Sequence, residues 1–238
     1  MRPFFPFYGS KWNIARYYPR PAHDQIIEPF AGSAGYSTFY NCPNAHLIDA
    51  DPIVIGVWSY LIKATSREIM ALPEIPEVGD SVDNYNLPQE AKWLIGFWLN
   101  RGSATPKKTR TAYSARGDKA QLNWGPRAKE RVIGQLEGIK GWKATLGSYE
   151  SAPNAQVTWF VDPPYGDKGR YYRKQFDAFE TLGPWCAQRQ GMVIVCEGPG
   201  ASWLPFQRLG DFKTSLGRAE EMVYIQGAPE PVKLDWVA

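Results

Sequence analysis

The sequence predicts a single α/β domain built on a parallel sheet and carrying an insertion. Two strand-turn-helix units follow one another near the N-terminus, and apolar strands return after an irregular middle. In the first unit the apolar run Ile26-Ile27 ends in the turn Gly32-Ser-Ala-Gly35, and a helix is expected over Tyr36 to Tyr40. In the second, a strand over Ala45 to Ile48 ends at Asp49, and Ile53 to Ala64 places Ile53, Val57, Tyr60 and Leu61 at helical spacing. Leu72 to Pro88 is rich in Pro, Gly, Asp and Asn, so the chain is expected to leave the sheet there. Helices are expected over Gln89 to Asn100 and Pro126 to Ile139, the second with Pro in its first turn, where a missing N–H does no harm. Between them Arg101 to Trp124 has the composition of a basic loop. Strand character returns over Val157 to Val161 and Met192 to Cys196, then over Lys213 to Leu216 and Met222 to Ile225. The expected organisation is a sheet domain over 1–71 and 151–238, with a mainly helical inserted region over 72–150.

Composition narrows the class without choosing a function. A chain of 238 residues with 44% hydrophobic content buries one full core. Lys and Arg number 27 against 24 Asp and Glu, a net +3 that permits nucleic-acid binding without demanding it. Cys42, Cys186 and Cys196 are dispersed and lack CxxC spacing, which indicates neither a zinc site nor a disulfide framework and makes a reducing cytoplasm the expected compartment. No apolar run approaches the about 18 residues of a spanning helix, so no membrane partner is expected.

Three segments carry chemistry. Asp162-Pro163-Pro164-Tyr165 directly follows the apolar strand Thr158 to Val161, where an open α/β sheet presents its ligand crevice. An aromatic amino group is a poor nucleophile because its lone pair is delocalised into the ring. The Asp162 carboxylate and the Pro163 carbonyl can accept its two protons, and proline brings no N–H to disturb that geometry. Tyr165 would stack on a base extruded from its duplex. The competing reading of the tetrapeptide is a rigid turn.

Glu28-Pro29-Phe30-Ala31-Gly32-Ser33-Ala34-Gly35 is a glycine-containing strand-to-helix turn that lets a ligand approach the backbone. It lacks the GxGxxG spacing of a dinucleotide site, and no GxxxxGK[ST] run is present, so a smaller cofactor without phosphates is favoured. Asp49 stands where the acid that binds ribose hydroxyls is found in folds of this topology, about 20 residues beyond the first strand. A helix-capping role for Asp49 competes with that one, and Asp51 competes for the cap. In the N-terminal run, Lys11 follows the Gly9-Ser10 turn, where its ammonium can meet a carboxylate such as the amino-acid end of a cofactor. The alternative there is an aromatic segment that only packs.

Taken together, the three segments resemble the Dam-type DNA adenine methyltransferases. That family's aromatic-x-Gly-Gly-Lys element is matched by Phe7-Tyr8-Gly9-Ser10-Lys11, with Ser10 replacing one glycine, and its E-P-F-x-G-x-G turn by Glu28 to Gly35. Its acid after the second strand falls on Asp49, beside Ala50, and its catalytic tetrapeptide on Asp162 to Tyr165. Arg170 to Phe176 resembles the loop that follows the tetrapeptide, and Arg218 to Ile225 the closing strand. The likeness covers roughly 1–65 and 157–226, and the interval 72–150 corresponds to the family's target-recognition region. It implies a Rossmann-like, seven-stranded, mostly parallel methyltransferase sheet, S-adenosyl-L-methionine as methyl donor, no metal, and double-stranded DNA as acceptor. A monomer is expected, in a bacterial cell or a phage-infected host.

No general-base histidine is required by such a transfer, and His23 and His46, the two histidines, are expected to be surface or strand-end residues. Rival acceptors that keep the fold are the cytosine N4 amino group, an RNA base or a glutamine amide. An initial Asp in the tetrapeptide favours adenine, whereas the family pattern pairs Ser with cytosine and Asn with glutamine. A rival of another class is a DNA-binding regulator without turnover. For DNA contact the sequence nominates Lys107, Lys108, Arg110, Arg116 and Lys119 in the basic loop, with Tyr171, Tyr172 and Arg173 after the tetrapeptide.

Overall fold

The computed structural model describes residues 1–75, 77–99, 101–116, 123–165, 172–174, 176–214 and 217–229. Seven strands form one sheet: β1 (Gln25–Glu28), β2 (Asn44–Asp49), β3 (Lys143–Leu146), β4 (Val157–Val161), β5 (Gly191–Glu197), β6 (Gln207–Thr214) and β7 (Gly217–Gln226). Their order is β3-β2-β1-β4-β5-β7-β6. The first five run parallel, and β7 is antiparallel to both β5 and β6, so a single strand opposes the rest.

Alternate residues explain why this sheet is covered on both faces. Ile26, Phe160, Met192, Ile194 and Cys196 enter one core, while Ile27, Trp159, Val161, Val193 and Val195 enter the other. All are buried, as strands in a two-sided parallel sheet must be. One face is covered by α1 (Gly35–Phe39) and α2 (Pro52–Lys63), and the other by α6 (Phe179–Ala187), which supplies Leu182 and Cys186. Asp51 starts α2 by accepting from the Ile53 N–H, with Pro52 in the first turn.

The interval after α2 leaves the sheet but not the core. It contains α3 (Ser66–Ala71), capped by a reciprocal Thr65 and Glu68 box, then α4 (Gln89–Leu99) and α5 (Pro126–Ile133). Leu94, Ile95, Phe97 and Trp98 of α4 share one apolar cluster with Phe4, Phe5, Val57, Trp58 and Leu61. Two expectations are corrected here. The helix expected over Pro126 to Ile139 stops at Ile133, Gly134 serving as its C-cap, and a separate 3-10 turn spans Leu136–Ile139. The return to the sheet comes before residue 151, because β3 pairs in parallel with β2 from His46↔Lys143 to Asp49↔Leu146. Four residues with two half-exposed positions gave no periodic signal for that edge strand.

Trp58 is the keystone of this face. It is fully buried, its indole N–H donates to the Gly32 carbonyl at 2.8 Å, and its ring lies 5.5–5.6 Å from those of Phe4, Phe5 and Trp142. Helix α2, the glycine turn and the N-terminal segment are thereby held together. Trp58→Ala is expected to cost roughly 3–5 kcal/mol, in the range of large core truncations. Urea denaturation measures this, and a loss below about 1 kcal/mol would show that the ring is not a structural centre.

Candidate active site

The strand order reverses between β1 and β4, because β1 to β3 build outward in one direction and β4 returns to the other side of β1. Ligand crevices open at such a switch point, beyond the carboxyl ends of the strands. A cleft lies there, enclosing about 780 Å³ of space that is partly open to solvent. Its walls include Phe7, Tyr8, Gly9, Ser10, Lys11, Glu28, Phe30, Ala31, Gly32, Ser33, Gly35, Asp49, Ala50 and Asp162. Of the expected cofactor set Pro29 alone is not in the lining. Pro164 joins it, whereas Pro163 is buried and neither Pro163 nor Tyr165 faces the cleft.

The two glycines of the turn serve chain packing. Gly32 has φ +46, a left-handed conformation, and an added Cβ would stand 3.1 Å from the Phe7 ring. A Cβ on Gly35 would meet the backbone nitrogens of Trp12 at 2.7 Å and Lys11 at 2.9 Å. The turn is therefore bare so that the N-terminal segment can lie against it. Ser10, the departure from the family pattern, fits the same contact: its hydroxyl accepts from Ser33 Oγ at 2.8 Å, and its φ of −51 demands no glycine.

This docking delivers Lys11 to the end of β4. Its ammonium donates to Asp162 Oδ1 at 2.7 Å and to the Gly9 carbonyl at 3.4 Å, lies 3.8 Å from Glu221 Oε1, and sits 4.6 Å from the centre of the Tyr165 ring. Glu221 Oε1 also accepts from the Tyr18 hydroxyl at 2.8 Å and from the Tyr165 hydroxyl. One buried cation thus stands between the partly buried Asp162 carboxylate and the buried Glu221 carboxylate, the latter tied to two tyrosines. Burial pushes the Asp162 and Glu221 carboxyls up, opposed in both by Lys11. Burial also works against the Lys11 ammonium, but Asp162 and Glu221 outweigh it and hold its pKa above the ordinary value.

Lys11 is therefore spoken for by Asp162, whereas the sequence had suggested a ligand carboxylate for it. Tyr165 differs likewise: Lys11 lies over its ring, the ring packs beside Gly198, and its hydroxyl points into the buried cluster. That arrangement anchors the tetrapeptide. Glu221 and Tyr18 were not singled out in the sequence. Glu221 carried a signal all the same, an acid at the position in β7 whose alternate neighbour Val223 is buried.

Across the cleft, Asp49 Oδ2 accepts from the Gly32 N–H at 3.0 Å and Oδ1 from the Asp51 N–H at 2.8 Å. The cap of α2 falls to Asp51, and Asp49 lines the cleft with its carboxyl pushed up to about 6 by burial. Glu28 Oε1 accepts from the Ser37 N–H at 2.8 Å, and burial raises its carboxyl to about 8. Asp51, Val54, Ala104, Phe160, Lys174 and Phe176 complete the walls beyond the expected set.

The residues nominated for nucleic-acid contact separate into groups. Tyr172 and Arg173 are cleft residues: the Tyr172 ring packs 6.2 Å from that of Phe7 and 5.7 Å from that of Tyr8, and Arg173 Nε lies 3.4 Å from Asp51 Oδ2. Arg110 turns inward and donates to the Ile75 carbonyl at 2.7 Å, so it braces its loop. Lys107, Lys108 and Arg116 are exposed, Lys108 pairing with Asp83 at 2.8 Å. Lys119 and Tyr171 lie outside the described residues. His46, expected at a surface or strand end, is buried on β2 with its Nε2 2.9 Å from Thr145 Oγ1. His23 Nδ1 lies 3.1 Å from Thr158 Oγ1. Neither histidine lines the cleft.

No family model matches this chain, and no curated protein matches it. A solved structure from Streptococcus pyogenes, described as a conserved hypothetical protein, superposes with a TM-score of 0.37 at 12% identity, covering 90% of this chain and 93% of its own. Among the described residues there is no cluster of His, Cys, Asp and Glu suited to a metal ion, and no helix long and apolar enough to cross a membrane.

Two measurements probe this chemistry. Because the Glu28 carboxyl is raised from 4.5 to about 8 in the fold, its stabilising share is complete below pH 4.5 and is lost as pH rises towards 8. Glu28→Gln retains an acceptor for Ser37, so its urea midpoint should fall less than the wild-type midpoint between pH 5 and 8; parallel curves would remove Glu28 from the pH dependence. Lys11→Met leaves the buried Glu221 and the partly buried Asp162 without their cation and is expected to cost roughly 3–5 kcal/mol at neutral pH. The deficit should shrink in acid as both carboxyls take up protons, and a deficit constant with pH would mean that the loss is one of packing.

Proposed function

We propose that this chain is an S-adenosyl-L-methionine-dependent DNA methyltransferase acting on the exocyclic N6 amino group of adenine. The observation that carries the proposal is the position of Asp162 and Pro164 in the wall of the switch-point cleft, at the carboxyl end of β4 and facing the turn after β1. A seven-stranded, mostly parallel sheet supports it, being the architecture that the resemblance to the Dam-type enzymes implies.

The cleft suits the cofactor. Phe7, Phe30, Val54 and Phe176 offer apolar surface for an adenine ring. Asp49 accepts from backbone N–H groups on both oxygens and, with two lone pairs on each, keeps acceptor capacity for ribose hydroxyls. Glu28 and Asp51 supply acceptors for an ammonium, and Arg173 and Lys174 supply cations for a carboxylate. When bound, the cofactor contributes an electrophilic methyl group on sulfur.

The protein's part is positioning and polarisation. Asp162, which faces the cleft, accepts a hydrogen bond from the amino group, so that the nitrogen lone pair is turned towards the methyl group; Pro163, buried behind it, stiffens the turn. For this Asp162 must act as a carboxylate; burial raises its pKa, and the Lys11 ammonium at 2.7 Å opposes that rise. Tyr165, held by Glu221, fixes the tetrapeptide in place. Tyr172 packs on Phe7 and Tyr8 in the cleft wall, and these rings would shield the transfer from water.

The test incubates the purified chain with labelled S-adenosyl-L-methionine and unmethylated duplex DNA, followed by digestion to nucleosides and mass spectrometry. N6-methyladenine is the expected product, falling by at least about 10²-fold in Asp162→Asn, the order seen when a positioned hydrogen-bonding group is lost. Methylcytosine would move the acceptor within the same fold. Absence of label from both DNA and RNA would overturn the proposal.

A further inference from the structure

A second concavity, of about 520 Å³, adjoins the cleft. Arg173 is in the wall of both, and Ile53 of the second precedes Val54 of the first on α2. The groove is lined by four cations, Lys92, Lys107, Lys108 and Arg173, against the Asp83 carboxylate. These charges come from three separate parts of the chain: α4, the segment between α4 and α5 that packs on α4, and the segment after the tetrapeptide.

The lysines are held where they stand. Lys92 is 17% exposed, with its ammonium 3.9 Å from Asp83 Oδ1, and Lys108 reaches Asp83 Oδ2 at 2.8 Å. The Lys107 N–H donates to the Gly96 carbonyl at 3.1 Å, and a Cβ on Gly96 would lie 2.5 Å from the Lys107 carbonyl oxygen. Residue 96 must therefore be bare for this segment to lie so close to α4. Among the described residues Lys107 makes no ion pair. One carboxylate shared by two lysines leaves the groove with an excess of positive charge, and a concave surface with apolar walls, here including Trp93, focuses that potential.

We propose that this groove seats backbone phosphates of the acceptor strand next to the base that enters the cleft. This rests on the nucleic-acid acceptor proposed above and adds where the strand lies: along α4, with Arg173 at the passage from phosphate to base.

Fluorescence anisotropy with a labelled oligonucleotide, as duplex and as single strand, tests it on the full chain across a salt series. The variants are Lys107→Ala/Lys108→Ala and Lys92→Gln, with Lys213→Ala on the exposed edge strand β6 as the control. The double variant is expected to bind at least about tenfold more weakly at low salt, and its slope of log K against log salt should shrink by about 0.9 per lost phosphate contact on duplex, or about 0.7 on single strands. Lys92→Gln should weaken binding in the same direction, and Lys213→Ala should leave affinity and slope as in wild type. Calorimetry with S-adenosyl-L-methionine should show equal cofactor affinity in wild type and the double variant, which separates the groove from the cleft. Wild-type affinity and slope in both groove variants, with adenine methylation intact, would overturn the groove alone. Failure of the wild-type chain to bind either oligonucleotide would overturn the groove and the nucleic-acid acceptor together.

Discussion

The ion pair between Lys11 and Asp162 is the interaction on which the site depends. It spans 151 residues and joins the N-terminal segment to the end of the central strand β4. Two carboxylates around one ammonium in a water-poor volume are tolerable only with further hydrogen bonds, since desolvation of the ions otherwise exceeds their attraction. Here the Tyr18 and Tyr165 hydroxyls meet the second carboxylate, Glu221. Segments before β1, after β4 and on β7 must therefore all be in place together for the cluster to be satisfied.

That requirement explains features that look unrelated in isolation. Gly35 is bare because the backbone of Lys11 and Trp12 passes against it, and Gly32 takes a left-handed conformation under the Phe7 ring. Trp58 holds the Gly32 carbonyl from behind, while Trp98 on α4 donates to the Phe4 carbonyl at 3.0 Å. The aromatic residues at the N-terminus are consequently core in their first part and cleft wall in their second: Phe4 and Phe5 are fully buried, and Phe7 and Tyr8 line the opening. The inserted region shares one core with the N-terminal segment, α2 and β2.

Two adjoining concavities of different electrostatic character result, the inner one carrying both carboxylates and cations. The inner cleft presents Glu28, Asp49, Asp51 and Asp162, a set that suits hydroxyl, amino and ammonium donors. The outer groove presents lysines, which suit phosphates. The cofactor and the nucleic-acid acceptor proposed above would divide in the same way, with Arg173 at the boundary.

By itself the sequence determined the local elements and the residues that meet at the switch point. Apolar runs placed β1, β2, β4 and β5, helical spacing placed α2 and α4, and the glycine turn and the tetrapeptide marked the two loops that form the cleft. These features were legible because periodicity, turn chemistry and strand-end position act over a few residues. Tertiary structure alone decided the partners. Lys11 met Asp162 rather than standing free, Tyr165 turned its hydroxyl to Glu221, Arg110 folded onto the Ile75 carbonyl while Lys107 and Lys108 stayed at the surface, and the short strand β3 gained its identity only from pairing with β2. Charge and burial are properties of a side chain's surroundings, and those surroundings are assembled from distant segments whose approach no local pattern records.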